Sequence, residues 1–309
     1  MKFITYFFCL CYFFTTSQNI QTPVVYSADN QYILSASWAG IGDFMKFRSI
    51  LSTQWTGIDN SPSTYIATLN GRINDKTGFG IIAYKDENGF TKIQHLTLSY
   101  AYHLILDYNS NQFLSFGIST RFSNFRTDTS QFTNSQPDPI INPNRKLNEI
   151  NFDLGVLYRY NGYFITLNFT DILKTNNSFS ENEPLSISTF NVYTGYEFKK
   201  PKQFLITPFI RFQKFFSDKR AEMDFGIKLL KEYSETELWS GSILKLQTDS
   251  NFAPLSFTPF FGIHYKRLYI TYGYQISIKE NETDLVQNFH LISIGFDFLK
   301  LQSKCICTH

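Results

Sequence analysis

The sequence predicts an all-β protein: a transmembrane antiparallel up-and-down β-barrel of about 14 strands. Three observations carry that expectation. Aromatic residues make up 18% of the 309 residues, with 33 Phe and 19 Tyr, and charged residues only 17%, against roughly 25% in soluble domains. Mean hydropathy is nonetheless −0.20, and after residue 17 no apolar run approaches the roughly 20 residues that a membrane helix needs. Thirdly, apolar and polar residues alternate in short runs separated by turn residues as far as Phe298. In a membrane barrel, lipid-facing and lumen-facing side chains alternate and average to a middling hydropathy. A large soluble β-sandwich or barrel is the alternative on composition alone.

Residues 1–17 read as a secretory signal peptide. Lys2 is the positive region, 3–14 the apolar region, and Thr15 and Ser17 the small residues at −3 and −1, so Gln18 begins the mature chain. Cys9 and Cys11 lack the preceding small residues of a lipobox. From 18 to 46 the pattern is weak, broken by Pro23, Ser27, Asp29 and Asn30. This segment is expected to be a periplasmic lead-in or to fold into the lumen. The barrel itself is expected over 47–298, with a C-terminal tail at 299–309.

The alternation rule places strands at 47–55, 63–73, 77–86, 93–105, 112–124, 150–161, 163–170, 186–198, 204–214, 221–231, 236–247, 256–265, 267–278 and 288–298. In the second, Tyr65, Ala67 and Leu69 oppose Ile66, Thr68 and Asn70. In the fifth, Leu114, Phe116, Ile118 and Phe122 oppose Ser115, Gly117, Ser119 and Arg121. In the sixth, Phe152, Leu154, Val156, Tyr158 and Tyr160 oppose Asp153, Gly155 and Arg159. Asp, Arg, Ser and Gly on the inner face imply a polar, hydrated lumen, whereas a soluble barrel would enclose an apolar core. At 210–216 and 257–261 both faces carry aromatics, so some lumen positions are expected to be packed.

Connection lengths point the same way. Those after odd-numbered strands are the longer: 56–62, 87–92, 125–149, 171–185, 216–220, 248–255 and 279–287. Those after even-numbered strands are short. Outer-membrane barrels have short periplasmic turns and longer surface loops, which puts both termini in the periplasm. The longest connection holds Asp138, Asn142 and Asn144 among prolines, and the next holds Asn176, Asn177 and Glu181. These six residues are the candidate partner contacts; a merely solvated loop is the alternative.

Nothing in the chain calls for a cofactor, a metal or a catalytic centre. It has no phosphate-binding glycine loop, no His-Glu-x-x-His and no Gly-x-Ser-x-Gly. The five His residues stand at 95, 103, 264, 290 and 309, none at ligand spacing. A Ser–His pair using His264 or His290 is the remaining enzyme reading. Cys305 and Cys307 lie too near the terminus to staple a fold. Trp38, Trp55, Tyr100, Tyr158 and Tyr265 are expected to form interfacial girdles. A net charge of +2 gives no basic stripe for nucleic acid.

One stretch carries a family resemblance. Ala39-Gly40, then a strand closing on Gln54-Trp55-Thr56-Gly57-Ile58-Asp59, then the turn Ser61-Pro62-Ser63-Thr64 resemble the start of the PorP/SprF family of outer-membrane type IX secretion proteins. Gly78-Phe79-Gly80 through Lys85-Asp86, Tyr100-Ala101-Tyr102 and Leu205-Ile206-Thr207-Pro208-Phe209 continue the likeness over most of the mature chain. Where the family usually has Asn-Pro-Ala, this chain has Ser35-Ala36-Ser37-Trp38. The resemblance implies a non-enzymatic barrel in the outer membrane of a Gram-negative bacterium, docking or anchoring a secreted surface protein, in gliding organisms an adhesin. Its implied partners are a cargo with a type IX C-terminal sorting domain, other envelope components of that machinery, and outer-membrane lipid. A channel for small or apolar solutes is the competing function, because the barrel itself does not choose.

Overall fold

The computed structural model describes residues 28–54, 61–107, 109–127, 146–173, 178–180, 183–184, 188–200, 204–216, 220–249, 252–278 and 288–300. Fourteen antiparallel strands close into a barrel. They are β1 (Phe44–Gln54), β2 (Ser63–Asn74), β3 (Thr77–Asn88), β4 (Thr91–Asp107), β5 (Gln112–Thr127), β6 (Lys146–Tyr160), β7 (Tyr163–Thr170), β8 (Thr189–Tyr196), β9 (Phe204–Phe215), β10 (Ala221–Glu232), β11 (Thr236–Gln247), β12 (Ala253–Tyr265), β13 (Leu268–Ser277) and β14 (Phe289–Lys300). Each pairs with its neighbours in sequence, and β1 pairs with β14, Ile50 opposite Ser293, to close the ring. Phe198–Lys200 continues the line of β8 after a break at Glu197, and Ser178–Ser180 with Glu183–Pro184 forms a small hairpin between β7 and β8.

All fourteen expected strands are present, in order. The largest differences lie at the ends. β1 begins at Phe44, and β4, β5 and β6 run to 17, 16 and 15 residues, longer than the roughly 9–11 needed to cross. Because β3 reaches Asn88 and β4 starts at Thr91, the expected long connection at 87–92 is a tight turn, with Gly89 at φ 57°. The other odd-numbered connections keep the length asymmetry, with 128–145 between β5 and β6 and 171–188 between β7 and β8 against two residues between β2 and β3.

Burial follows the two-residue period of the strands. Phe116, Ile118, Phe122, Leu154, Ile270, Ile294 and Phe296 point outward and are each at least 38% exposed, while Ser115, Ser119, Asp153, Thr271 and Ser293 point inward and are buried. A soluble barrel would invert this pattern. Apolar surface this continuous around a closed sheet is stable only in lipid.

The inside is less uniformly polar than the inner-face residues suggest. Phe113, Leu157, Phe164, Tyr193, Phe209, Trp239, Phe260, Tyr269 and Leu291 form one buried cluster inside the ring. All but Leu291 lie toward the end of the short turns, here assigned to the periplasm. Packing of lumen aromatics therefore extends well beyond the two places where both strand faces are apolar.

Candidate functional site

The cluster packs around residues 28–43, which fold inside the barrel as two 3₁₀ turns, Gln31–Ile33 and Ala36–Trp38. Ala28, Tyr32, Ala36, Trp38 and Ala39 are buried there. The segment is held to strands on opposite sides of the ring. Asn30 Nδ2 donates to Thr68 Oγ1 on β2 at 2.9 Å, the Tyr32 hydroxyl to Ser99 Oγ on β4 at 3.0 Å, and Trp38 Nε1 to Thr166 Oγ1 on β7 at 2.8 Å. The Asp29 carboxylate accepts from Lys228 Nζ on β10 at 2.6 Å, Trp239 Nε1 on β11 at 3.2 Å and Thr271 Oγ1 on β13 at 3.0 Å. Arg72 Nε and His103 Nε2 donate to the backbone carbonyls of Gly40 and Ala39, at 3.1 and 3.0 Å. With Nε2 donating, His103 Nδ1 accepts from the Ser115 hydroxyl at 2.6 Å. Trp38 is thus an anchor inside the lumen and not part of an interfacial girdle; Tyr158 and Tyr265 point outward near strand ends, whereas Tyr100 points outward at mid-strand, within the apolar belt and not at its edge.

The wall is shaped to receive this segment. A Cβ at Gly78 would stand 2.0 Å from the carbonyl oxygen of Ala39, and one at Gly117 2.2 Å from the amide nitrogen of Ser37. Gly40 sits at φ 78°, a conformation that only glycine adopts without strain. The Ala39-Gly40 and Gly78-x-Gly80 pieces of the resemblance therefore meet in space, segment against wall.

Above this floor, on the side of the long connections, lies a cavity of about 240 Å³. Tyr32, Ile33, Leu34, Ser35 and Ala36 form its base, and residues from β2 through β9 form its sides. One side is apolar and aromatic. His95 stacks on Tyr84 with ring centroids 5.1 Å apart, meets Phe125 edge-on at 5.8 Å, and bonds through Nδ1 to Ser123 Oγ at 2.8 Å. The other side is polar and charge-paired. Arg121 bridges Asp153 and Asp171 at 2.7 and 2.9 Å, and Arg211 Nε meets Asp224 at 2.6 Å. Each of these ions is held by direct contact with its partner. The cavity has the mixed lining of a recognition pocket.

Neither candidate Ser–His pair forms. His264 lies between Glu237 and Asp297, at 3.4 and 3.5 Å, and His290 faces outward and bonds the Tyr272 hydroxyl. Serines instead meet His95 and His103. Among the described residues neither of those rings pairs with a carboxylate, and no three His, Cys, Asp or Glu side chains cluster to hold a metal ion. Asp138, Asn142, Asn144, Asn176, Asn177 and Glu181 lie outside the described residues, as do residues 1–27, Trp55, Cys305 and Cys307. The site in view is thus the floored vestibule. The inward members of the strand alternation already carried its wall, and of the two expectations for 18–46 the described part, 28–43, takes the lumenal one.

Comparison with solved structures gives the same architecture. A channel described as the CymD monoaromatic hydrocarbon channel superposes with a TM-score of 0.53 at 13% identity, covering 85% of this chain and 90% of its own. A deletion mutant of the TodX monoaromatic hydrocarbon channel gives 0.52 at 12% identity, covering 87% and 94%. At such identities the likeness shows an outer-membrane barrel fold and no more. No curated protein matches the chain. A family model described as the type IX secretion system membrane protein PorP/SprF matches residues 17–296. With the described motifs of the resemblance seated in one closed, lipid-facing barrel, the chain belongs to the PorP/SprF family of type IX secretion membrane proteins and is an outer-membrane protein of a Gram-negative bacterium.

Proposed function

We propose that the barrel docks a secreted surface protein at its extracellular face, receiving the cargo's C-terminal sorting domain while other envelope components of type IX secretion deliver it. In a gliding organism that cargo would be an adhesin. The family is one of secretion membrane proteins and not of enzymes. The observation that carries the docking reading is the floor: residues 28–43 cross the periplasmic half of the lumen and leave a cavity on the side of the long connections. A receptor needs an outward recess on a rigid frame, and a conduit needs a continuous path. Phe125, Thr170 and Asp171 line the recess, and the connections that follow Phe125 and Thr170 in the chain, 128–145 and 171–188, hold the six candidate contact residues.

Shortening either connection is expected to lower cargo at the cell surface at least about fivefold while the barrel stays in the outer membrane, checked by surface labelling and membrane fractionation. Unchanged cargo display with both connections shortened would contradict docking through these loops. A solute channel is the second reading. It is favoured by the apolar side of the vestibule, where Ile66, Ile82, Ile93, Phe125 and Phe215 line the cavity, and it requires uptake that the floor opposes.

A further inference from the structure

We infer that the outer wall of β3 to β6 binds the phosphates of an anionic glycolipid in the outer leaflet. The register aligns the residues concerned. Lys92 on β4 stands directly opposite Arg126 on β5, and Arg126 directly opposite Lys146 on β6. The three alternate outward with the lipid-facing residues of their strands, and they line one shallow groove with Gln94 and Asn124. Lys85 lies on the same face of β3.

Like charges directly opposite one another across strands destabilise a sheet. Among the described residues one carboxylate offsets this row: Glu87, paired with Lys85 at 3.0 Å and with Lys92 at 3.1 Å. Four cations against one anion leave a net positive strip, and it calls for an anionic occupant.

The height of the strip selects that occupant. The outward residues of β4 are apolar from Leu96 to Leu106, through Leu98, Tyr100, Tyr102 and Leu104. Ten residue steps span about 33 Å along a strand, or about 25 Å along the barrel axis at a tilt of about 40°, which is the height of an outer-membrane apolar belt. Gln94 and Lys92 come next beyond its outer edge. On β5 and β6 the same order runs from Phe122 and Ile150 through Asn124 and Asn148 to Arg126 and Lys146, with Asn124 Nδ2 donating to Asn148 Oδ1 at 2.6 Å. Acyl chains therefore meet leucine and phenylalanine, sugar hydroxyls meet the amides, and phosphates meet the cations. Basic residues at the head-group level act in this way on anionic lipid, and the guanidinium of Arg126 suits phosphate oxygens in particular.

The test titrates the purified full-length protein in non-ionic detergent with diphosphorylated lipid A, with the same lipid stripped of both phosphates, and with inorganic phosphate. Bound lipid is counted by native mass spectrometry. The wild type is expected to retain the phosphorylated lipid at least about tenfold better than the stripped one. Lys92→Gln/Arg126→Gln/Lys146→Gln is expected to abolish that preference. Lys231→Gln/Lys266→Gln/Lys300→Gln, which removes as much charge at the opposite rim, is expected to keep it. Equal retention of the two lipids, an unchanged preference in the first triple variant, or displacement of the lipid by millimolar phosphate would each overturn the assignment. If that variant does not fold, Arg126→Gln alone carries the test, with a loss of about threefold expected and none overturning it.

Discussion

A chain lacking residues 28–43 is expected to conduct ions in planar bilayers at least about tenfold better than the intact protein. A ring of fourteen strands is wider than the eight-stranded barrels whose own side chains fill them, so its lumen stays closed only while something occupies it. Here the occupant is tied to the wall at Asp29, Asn30, Tyr32, Trp38 and the carbonyls of Ala39 and Gly40. Asp29 concentrates the attachment, because charge-assisted hydrogen bonds are roughly twice as strong as neutral ones. Asp29→Asn is accordingly expected to give brief openings, and the deletion sustained ones. Gly78→Val is expected to resemble the deletion, since its Cβ would stand 2.0 Å from the Ala39 carbonyl oxygen. An intact protein that conducts as well as the deletion would show that the floor does not seal the lumen.

Breaking the Arg211–Asp224 pair is expected to be the most destabilising single change in the wall. The two meet at 2.6 Å with side chains 2% and 0% exposed. Arg211→Leu would leave a carboxylate buried without its cation, a loss of about 3–5 kcal/mol. Replacing both by leucine removes the stranded charge, and most of the loss is expected to be regained. Urea unfolding in lipid, followed by the fluorescence of the lumenal Trp38 and Trp239, measures each variant. A loss below about 1 kcal/mol for Arg211→Leu would mean that water or a neighbour compensates the carboxylate, contrary to the pairing seen here.

The strands were legible because a membrane barrel exposes every one of them to the same two environments. Phe152 to Tyr160 and Leu268 to Ile276 alternate because one side meets lipid and the other the lumen, and the structure keeps both alternations in phase. The end effects were harder to read. The expected long connection after β3 is a tight turn because Lys85 and Glu87 continue the strand as polar outward residues above the lipid. There the polarity marks the membrane boundary and not the strand end.

The floor was the least legible part, for a physical reason. A segment made of two 3₁₀ turns has no period, and what holds it is spread over ten strands as single hydroxyls, amides and missing side chains. Trp38 illustrates the difficulty, since a tryptophan near the start of a barrel chain fits an interfacial girdle as well as a buried anchor. The signal that could have found the floor lies in the inward glycines. Gly78, Gly117 and Gly155 lie on the lumen side of strands β3, β5 and β6, where a hydrated pore has no need of them and a backbone packed against the wall does.

The most direct test of the docking role is to isolate the protein from the native outer membrane in mild detergent and identify by mass spectrometry what accompanies it. The same cells with the gene deleted are then assayed for export. The expected result is a large secreted protein carrying a type IX sorting domain, together with envelope components of that machinery, and loss of that protein from the surface of the deletion strain. Recovery of the barrel alone, from cells whose export survives its deletion, would contradict docking and favour the solute channel.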